Sequence, residues 1–81
     1  MELKIGDVVI VPEDQATPEG VREFKRNNPY NKPLTGVVDD FYAGFSITGR
    51  DVVVKMPNDS FVNSYVGRGY NLFRDTQLRK V

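Results

Sequence analysis

Four β-forming residues in a row, Val8, Val9, Ile10 and Val11, follow a Gly6-Asp7 turn and stop at Pro12, while an alternating stretch, Leu78-Arg79-Lys80-Val81, ends the sequence. Proline cannot donate to a strand ladder, so the first strand is bounded before any fold is considered. An unbroken apolar run predicts a strand covered on both faces or turning a tight corner. With 81 residues there is room for one core, and a chain this short buries only about 60–65% of its unfolded surface. The expectation is therefore a single domain over 1–81 in which every large apolar residue matters.

Between Pro12 and Pro33 lie four of the five prolines and few β signals. A connection of that length needs structure of its own. Thr17 is a suitable N-cap, Pro18 suits the first helical position, Glu19 and Glu23 sit toward the positive end and Lys25 with Arg26 toward the negative end. These signals predict a short helix over 18–27, capped by Thr17 and pinned to the core through Val21 and Phe24, with Asn27-Asn28-Pro29 as its stop. A helix of about ten residues is unstable alone, so it must dock, and 12–33 reads as a proline-rich loop with a helical insertion.

From Leu34 the β pattern resumes through Gly36-Val37-Val38 and Asp39-Asp40 into Phe41-Tyr42-Ala43-Gly44-Phe45, where Gly44 marks a bend. Thr48-Gly49-Arg50-Asp51 reads as a tight turn before the strand Val52-Val53-Val54-Lys55-Met56, and Pro57-Asn58-Asp59-Ser60 as the next turn. Phe61 to Val66 fits either a strand or the packed side of a loop, Gly67-Arg68-Gly69 reads as a flexible turn, and Tyr70-Asn71-Leu72-Phe73-Arg74 as a strand. A one-turn connector at Asp75-Thr76-Gln77 then leads to the last strand, with Leu78 and Val81 expected against the core.

The first strand, the strand–turn–strand ending and the long first loop together resemble a small SH3-like β-barrel over residues 3–11 and 34–81. The fold class expected is mainly β: a single five-stranded SH3-like barrel with one short helix in the long first loop. Signalling SH3 domains grip proline-rich peptides with a tryptophan and a tyrosine-rich loop; no counterpart is recognisable here, so that activity is not carried over. The resemblance to KOW and Tudor-type barrels implies a binding role through the long loop and adjacent strand ends.

Chemistry is constrained chiefly by what is missing. The sequence has no Cys and no His, which removes disulfides, thiolate zinc sites, cysteine nucleophiles and Ser-His-Asp catalysis. No enzyme and no cofactor are expected, nor any small-molecule substrate. Residues 1–20 carry neither a basic start with an apolar run nor a small-residue cleavage site, and no stretch reaches the length of a membrane span, so a cytoplasmic protein is expected. Eleven basic and eleven acidic residues cancel. Residues 1–40 hold five basic and eight acidic residues and 41–81 hold six and three, giving −3 and +3.

Two candidate surfaces follow. The outward face of the helix with the loop beyond it, carrying Arg22, Glu23, Lys25, Arg26 and Tyr30, is the candidate for a protein partner, because a rigid scaffold presenting a stiffened loop is how small domains commonly carry function. Arg68, Tyr70, Arg74, Arg79 and Lys80, with Tyr65 nearby, interleave cations and rings as a single-strand nucleic-acid surface would. Ordinary alternation on half-buried strands gives the same pattern. Asp39 and Asp40, with Asp51 or Asp59, fit no calcium-loop spacing and, on an extended strand, point to opposite faces; no metal site is expected. Tyr30, Phe41, Tyr42 and Phe45 could supply a small aromatic cage for a cation, but aromatics are also the large core-fillers of this chain beside its valines and leucines, and that is the favoured reading. The expectation is a non-catalytic accessory or regulatory binding module working through protein–protein contacts, with a nucleic-acid-binding, KOW-like barrel as the alternative.

Overall fold

The computed structural model describes residues 2–28, 30–42 and 50–81. Its strands are β1 (Val8–Ile10), β2 (Thr35–Tyr42), β3 (Asp51–Lys55), β4 (Val62–Asn63), β5 (Gly67–Arg68), β6 (Tyr70–Arg74) and β7 (Arg79–Lys80), with α1 at Pro18–Arg26 and 3-10 helices at Glu13–Gln15 and Asp75–Gln77. Five strands form one antiparallel sheet in the order β6-β3-β2-β1-β7, and β4 pairs with β5 apart from it. The fold is mainly β, as expected. Among the described residues β6 and β7 are the sheet's two unpaired edges, so the pairing establishes an open five-stranded sheet.

The core is built from Leu3, Val9, Val11, Leu34, Val38, Val52, Val54, Met56, Phe61, Phe73 and Leu78. Each such side chain contributes about 1.5–3 kcal/mol when fully buried. Along β1 only Val9 is fully covered, while Val8 is exposed and Ile10 half-buried. The first strand therefore has one buried face, not two: the run of apolar residues alternates once the sheet is built. In β2 the register slips between Val38 and Asp40, leaving Asp39 as an extra residue. The bulge leaves both aspartates exposed and turns Phe41 toward the core, where a regular strand would have sent the pair to opposite faces. Gly36 lets β2 approach β3, since a Cβ there would lie 2.4 Å from Val54 Cγ1 and 2.8 Å from the Lys55 carbonyl oxygen.

Helix α1 starts with Pro18 and ends in Lys25 and Arg26, as its termini demand. Thr17 stands at the N-cap position but does not cap; its hydroxyl donates instead to the Val62 carbonyl at 3.2 Å. The residue that α1 buries is Gly20, packed so closely on the Phe61 ring that a Cβ would sit 2.6 Å from it. Val21 and Phe24, expected as the docking pair, are half-buried at the margin of the core. Asn58 Nδ2 donates to the Gly20 carbonyl at 3.3 Å, and the Ser60 hydroxyl donates to Glu23. The helix is thus fastened along its length to segment 58–62.

Toward the end of the chain, Phe73 and Leu78 are buried as expected, but Val81 is 74% exposed and holds on through its N–H to the Val8 carbonyl at 3.0 Å. Gly67 and Arg68, expected as a flexible turn, form β5 against β4. The bend at Gly44 and the turn centred on Thr48-Gly49 lie outside the described residues. Among the described residues no helix is long and apolar enough to cross a membrane.

Replacing a helical glycine by alanine ordinarily stabilises by up to about 1 kcal/mol. Gly20→Ala is expected to do the reverse and cost roughly 1–3 kcal/mol, because the new methyl overpacks against a fully buried ring. Urea unfolding of the two proteins gives the sign directly.

Candidate functional site

The alternation of hydrogen bonds between β3 and β6 fixes which backbone groups remain available. Beyond the strands, Met56 donates to the Gly69 carbonyl at 2.8 Å and Asp75 to the Arg50 carbonyl at 2.9 Å. In the shared register, where Lys55 faces Tyr70 and Asp51 faces Arg74, bonded and non-bonded pairs alternate. The pairs Lys55–Tyr70, Val53–Leu72 and Asp51–Arg74 are consequently non-bonded, and the N–H groups of Tyr70, Leu72 and Arg74 point away from β3.

Two of these outward donors are met by side-chain amides. Leu72 N–H donates to Asn71 Oδ1 at 3.0 Å, and Arg74 N–H to Gln77 Oε1 at 2.9 Å, the latter bond also fastening the 3-10 helix. Asn71 is buried, and its Oδ1 additionally accepts from Asn63 Nδ2 at 3.1 Å. Asn63 Oδ1 in turn accepts from the Tyr65 N–H at 2.8 Å, which fixes the turn between β4 and β5.

Along this edge runs a cleft of about 550 Å³ lined by Gln15, Asp51, Asn63, Tyr65, Leu72, Phe73, Arg74 and Gln77. Its volume lies within the range of ordinary ligand sites, about 300–1,000 Å³. Three consecutive β6 residues line it although successive strand residues point to opposite faces, so the cleft follows the strand's edge and not one of its faces. Gln15 comes from the long first loop, Asp51 and Arg74 from strand ends, and Asn63 and Tyr65 from the small β4–β5 sheet. Arg74 is the one cation among these residues. Tyr65 is 65% exposed.

Of the residues picked from sequence, Arg74, its neighbour Tyr65 and Asp51 come together here. Arg68 stands on β5, Tyr70 is half-buried at the start of β6, and Arg79 and Lys80 lie on β7 at the opposite edge of the sheet. On the helix side, Arg22 lies 4.0 Å from Glu19, Lys25 pairs with Glu13 at 3.1 Å, Arg26 is exposed, and Tyr30 carries Lys32 5.9 Å from its ring. Glu23 turns to Ser60. None of these five lines the cleft. Phe41 is faced by Arg50 at 4.1 Å from its ring centre, which occupies that surface of the candidate cage; Tyr42 is exposed, and Phe45 lies outside the described residues. Asp51 is buried in β3 while Asp39, Asp40 and Asp59 are exposed, and among the described residues no group of three acidic side chains could hold a metal ion. Sequence reasoning missed Gln15, Asn63 and Gln77, whose common signal was an unremarked supply of amides around a strand edge.

No protein-family model, curated protein or solved structure matches this chain.

One ionisable group outside the cleft is clearly perturbed. Asp7 Oδ2 accepts the Lys4 N–H at 2.8 Å and lies 3.5 Å from Lys80 Nζ. The backbone hydrogen bond from Lys4 holds the carboxyl below its ordinary 3.8, burial opposes this, and the Lys80 ammonium adds to the lowering. A carboxyl whose folded pKa is depressed contributes stability that is complete above the unfolded value and lost as pH falls through the folded one. An NMR titration is expected to place the Asp7 midpoint below 3.8, and Asp7→Asn to flatten the loss of stability across that acid range.

Asn71→Leu, of similar size, deprives Leu72 N–H and Asn63 Nδ2 of one shared acceptor. A cost of about 1–3 kcal/mol is expected, together with faster hydrogen exchange at the Leu72 amide.

Proposed function

We propose that this protein is a non-catalytic binding module, built on an SH3-like barrel, that holds a segment of a partner protein in the cleft beside β6. The observation that carries the reading is the make-up of that cleft: amides, an exposed tyrosine, one arginine, one carboxylate and two apolar side chains, drawn from the long first loop, the strands β3 and β6, the β4–β5 sheet and the 3-10 helix. Such a set supplies directional hydrogen bonds and apolar contact, while the sequence offers no His or Cys for catalysis. An accessory or regulatory role in the cytoplasm suits a chain that can form no disulfide.

The barrel part of the reading rests on chain length. A flat sheet of five strands would hold β6 and β7 about 19 Å apart across four gaps. From Arg74 to Arg79 the chain crosses one 3-10 turn, which reaches only about 13 Å. The sheet must therefore curl so that its edges approach, which favours an SH3-like barrel.

A protein partner is favoured over nucleic acid because the cleft is not a cationic surface. Arg74 is the one cation of its lining and shares it with the Asp51 carboxylate, and Lys80 is engaged by Asp7. A partner captured from cell extract is expected to survive nuclease treatment, to be lost with Tyr65→Ala and Arg74→Ala together, and to be kept with Arg79→Ala. Four phosphate contacts by Arg68, Arg74, Arg79 and Lys80 would instead give a salt slope of roughly −3 for single-stranded nucleic acid. Sub-micromolar oligonucleotide binding with that slope would overturn the protein reading.

A further inference from the structure

We propose that the cleft binds its partner by strand addition: an extended peptide segment carrying an acidic side chain pairs with the outer edge of β6. This rests on the protein-binding reading above and says how that binding is made.

Two of the outward N–H groups of β6 set the spacing a partner must match. Those of Leu72 and Arg74 are two residues apart on one strand, a spacing of about 6.7 Å. An extended chain presents carbonyls at the same interval and pointing the same way. A polyproline helix turns by a third of a revolution per residue, so its carbonyls two apart diverge, and an α-helix has spent its carbonyls internally. The edge therefore selects a strand. Neither donor is committed to another backbone group, because each is held by a side-chain amide, Asn71 or Gln77. An incoming carbonyl replaces an amide oxygen of the same chemical kind, and no donor is left unmet in the exchange.

The walls select further. Asn63, bonded to Asn71, and Tyr65 flank β6 along the cleft, so an added strand has hydrogen-bonding and aromatic neighbours beside it. Leu72 offers an apolar partner for one side chain of the segment. Arg74 is exposed at the mouth and is the only cation of the lining, and its guanidinium is suited to a bidentate bond with a carboxylate. Hence an acidic residue is expected in the bound segment, next to apolar β-formers.

The test is a selection of random linear peptides on the immobilised full-length protein, followed by NMR of the labelled protein with the enriched peptides. Enriched peptides are expected to combine β-branched residues with Asp or Glu, and to slow exchange of the Leu72 and Arg74 amides. N-methylation walked along such a peptide should abolish binding at every second position only, since one edge of a strand pairs. Arg74→Gln should weaken binding about tenfold or more, through loss of the charge-assisted pair. Proline-rich peptides that shift Gln15, Tyr65 and Gln77, with no alternation in the N-methyl walk, would overturn strand addition and leave the cleft as a protein-binding site. Failure of every enriched peptide to perturb any cleft residue would overturn both. Protection of the two amides by concentration-dependent dimerisation alone, with no peptide bound, would also overturn the proposal in favour of a second copy of this chain.

Discussion

The rest of this structure depends on the contact between Gly20 and Phe61. A helix with any side chain at position 20 would stand farther from the ring, and the distance matters because both walls of the cleft hang from this contact. The 3-10 helix carrying Gln15 immediately precedes α1, while β4, which carries Asn63, immediately follows Phe61. Bonds from Thr17 to Val62, Asn58 to Gly20 and Ser60 to Glu23 then hold the helix in one orientation over the ring. In a chain with so little core, one aromatic side chain thereby organises a long loop that would otherwise bear the full entropy of an ordered connection.

Sheet edges pose a second constraint. An unpaired edge invites association with any other strand, and proteins blunt it with charges, bulges or cover. Here β7 is only two residues long and charged, whereas β6 is five residues long. Its Leu72 and Arg74 donors are covered by Asn71 and Gln77, which shield the edge in the free protein without removing its capacity to pair. An amide oxygen is a close match to a peptide carbonyl, so the energetic difference between the covered and paired edge is small. Selectivity must then come from the neighbours, and Arg74 and Tyr65 are the residues placed to supply it.

Local signals read well from the sequence, and long-range approaches did not. Pro18, Glu19, Lys25 and Arg26 marked the helix because capping and dipole preferences act within one turn; the connector at Asp75–Gln77 and the buried Phe73 and Leu78 followed from strand alternation and turn chemistry. Gly20 was silent, since a glycine inside a helical pattern says nothing about a ring 41 positions away in the chain. Thr17 was misread for a related reason: its hydroxyl could accept locally from a helix N–H or donate to a distant carbonyl, and tertiary packing decided. The bulge at Asp39 and the exposure of Val81 likewise depend on registers set by partner strands. The cleft itself lay beyond the sequence signal because its amides are scattered from Gln15 to Gln77, and amides at loop and strand ends are ordinary surface residues until a strand edge brings them together.

Charge placement bears on what kind of recognition such a scaffold can support. A chain with zero net charge gains little from long-range steering, and at physiological salt exposed charges farther apart than about 8 Å are largely screened. Asp7 with Lys80 and Glu13 with Lys25 are local pairs, and the first of these ties β7 to the turn before β1. A single arginine at the cleft can orient a ligand once it has arrived but cannot draw in a polyanion. Recognition on this surface is therefore governed by short-range hydrogen-bond geometry, where a two-residue spacing and one correctly placed carboxylate discriminate more sharply than total charge.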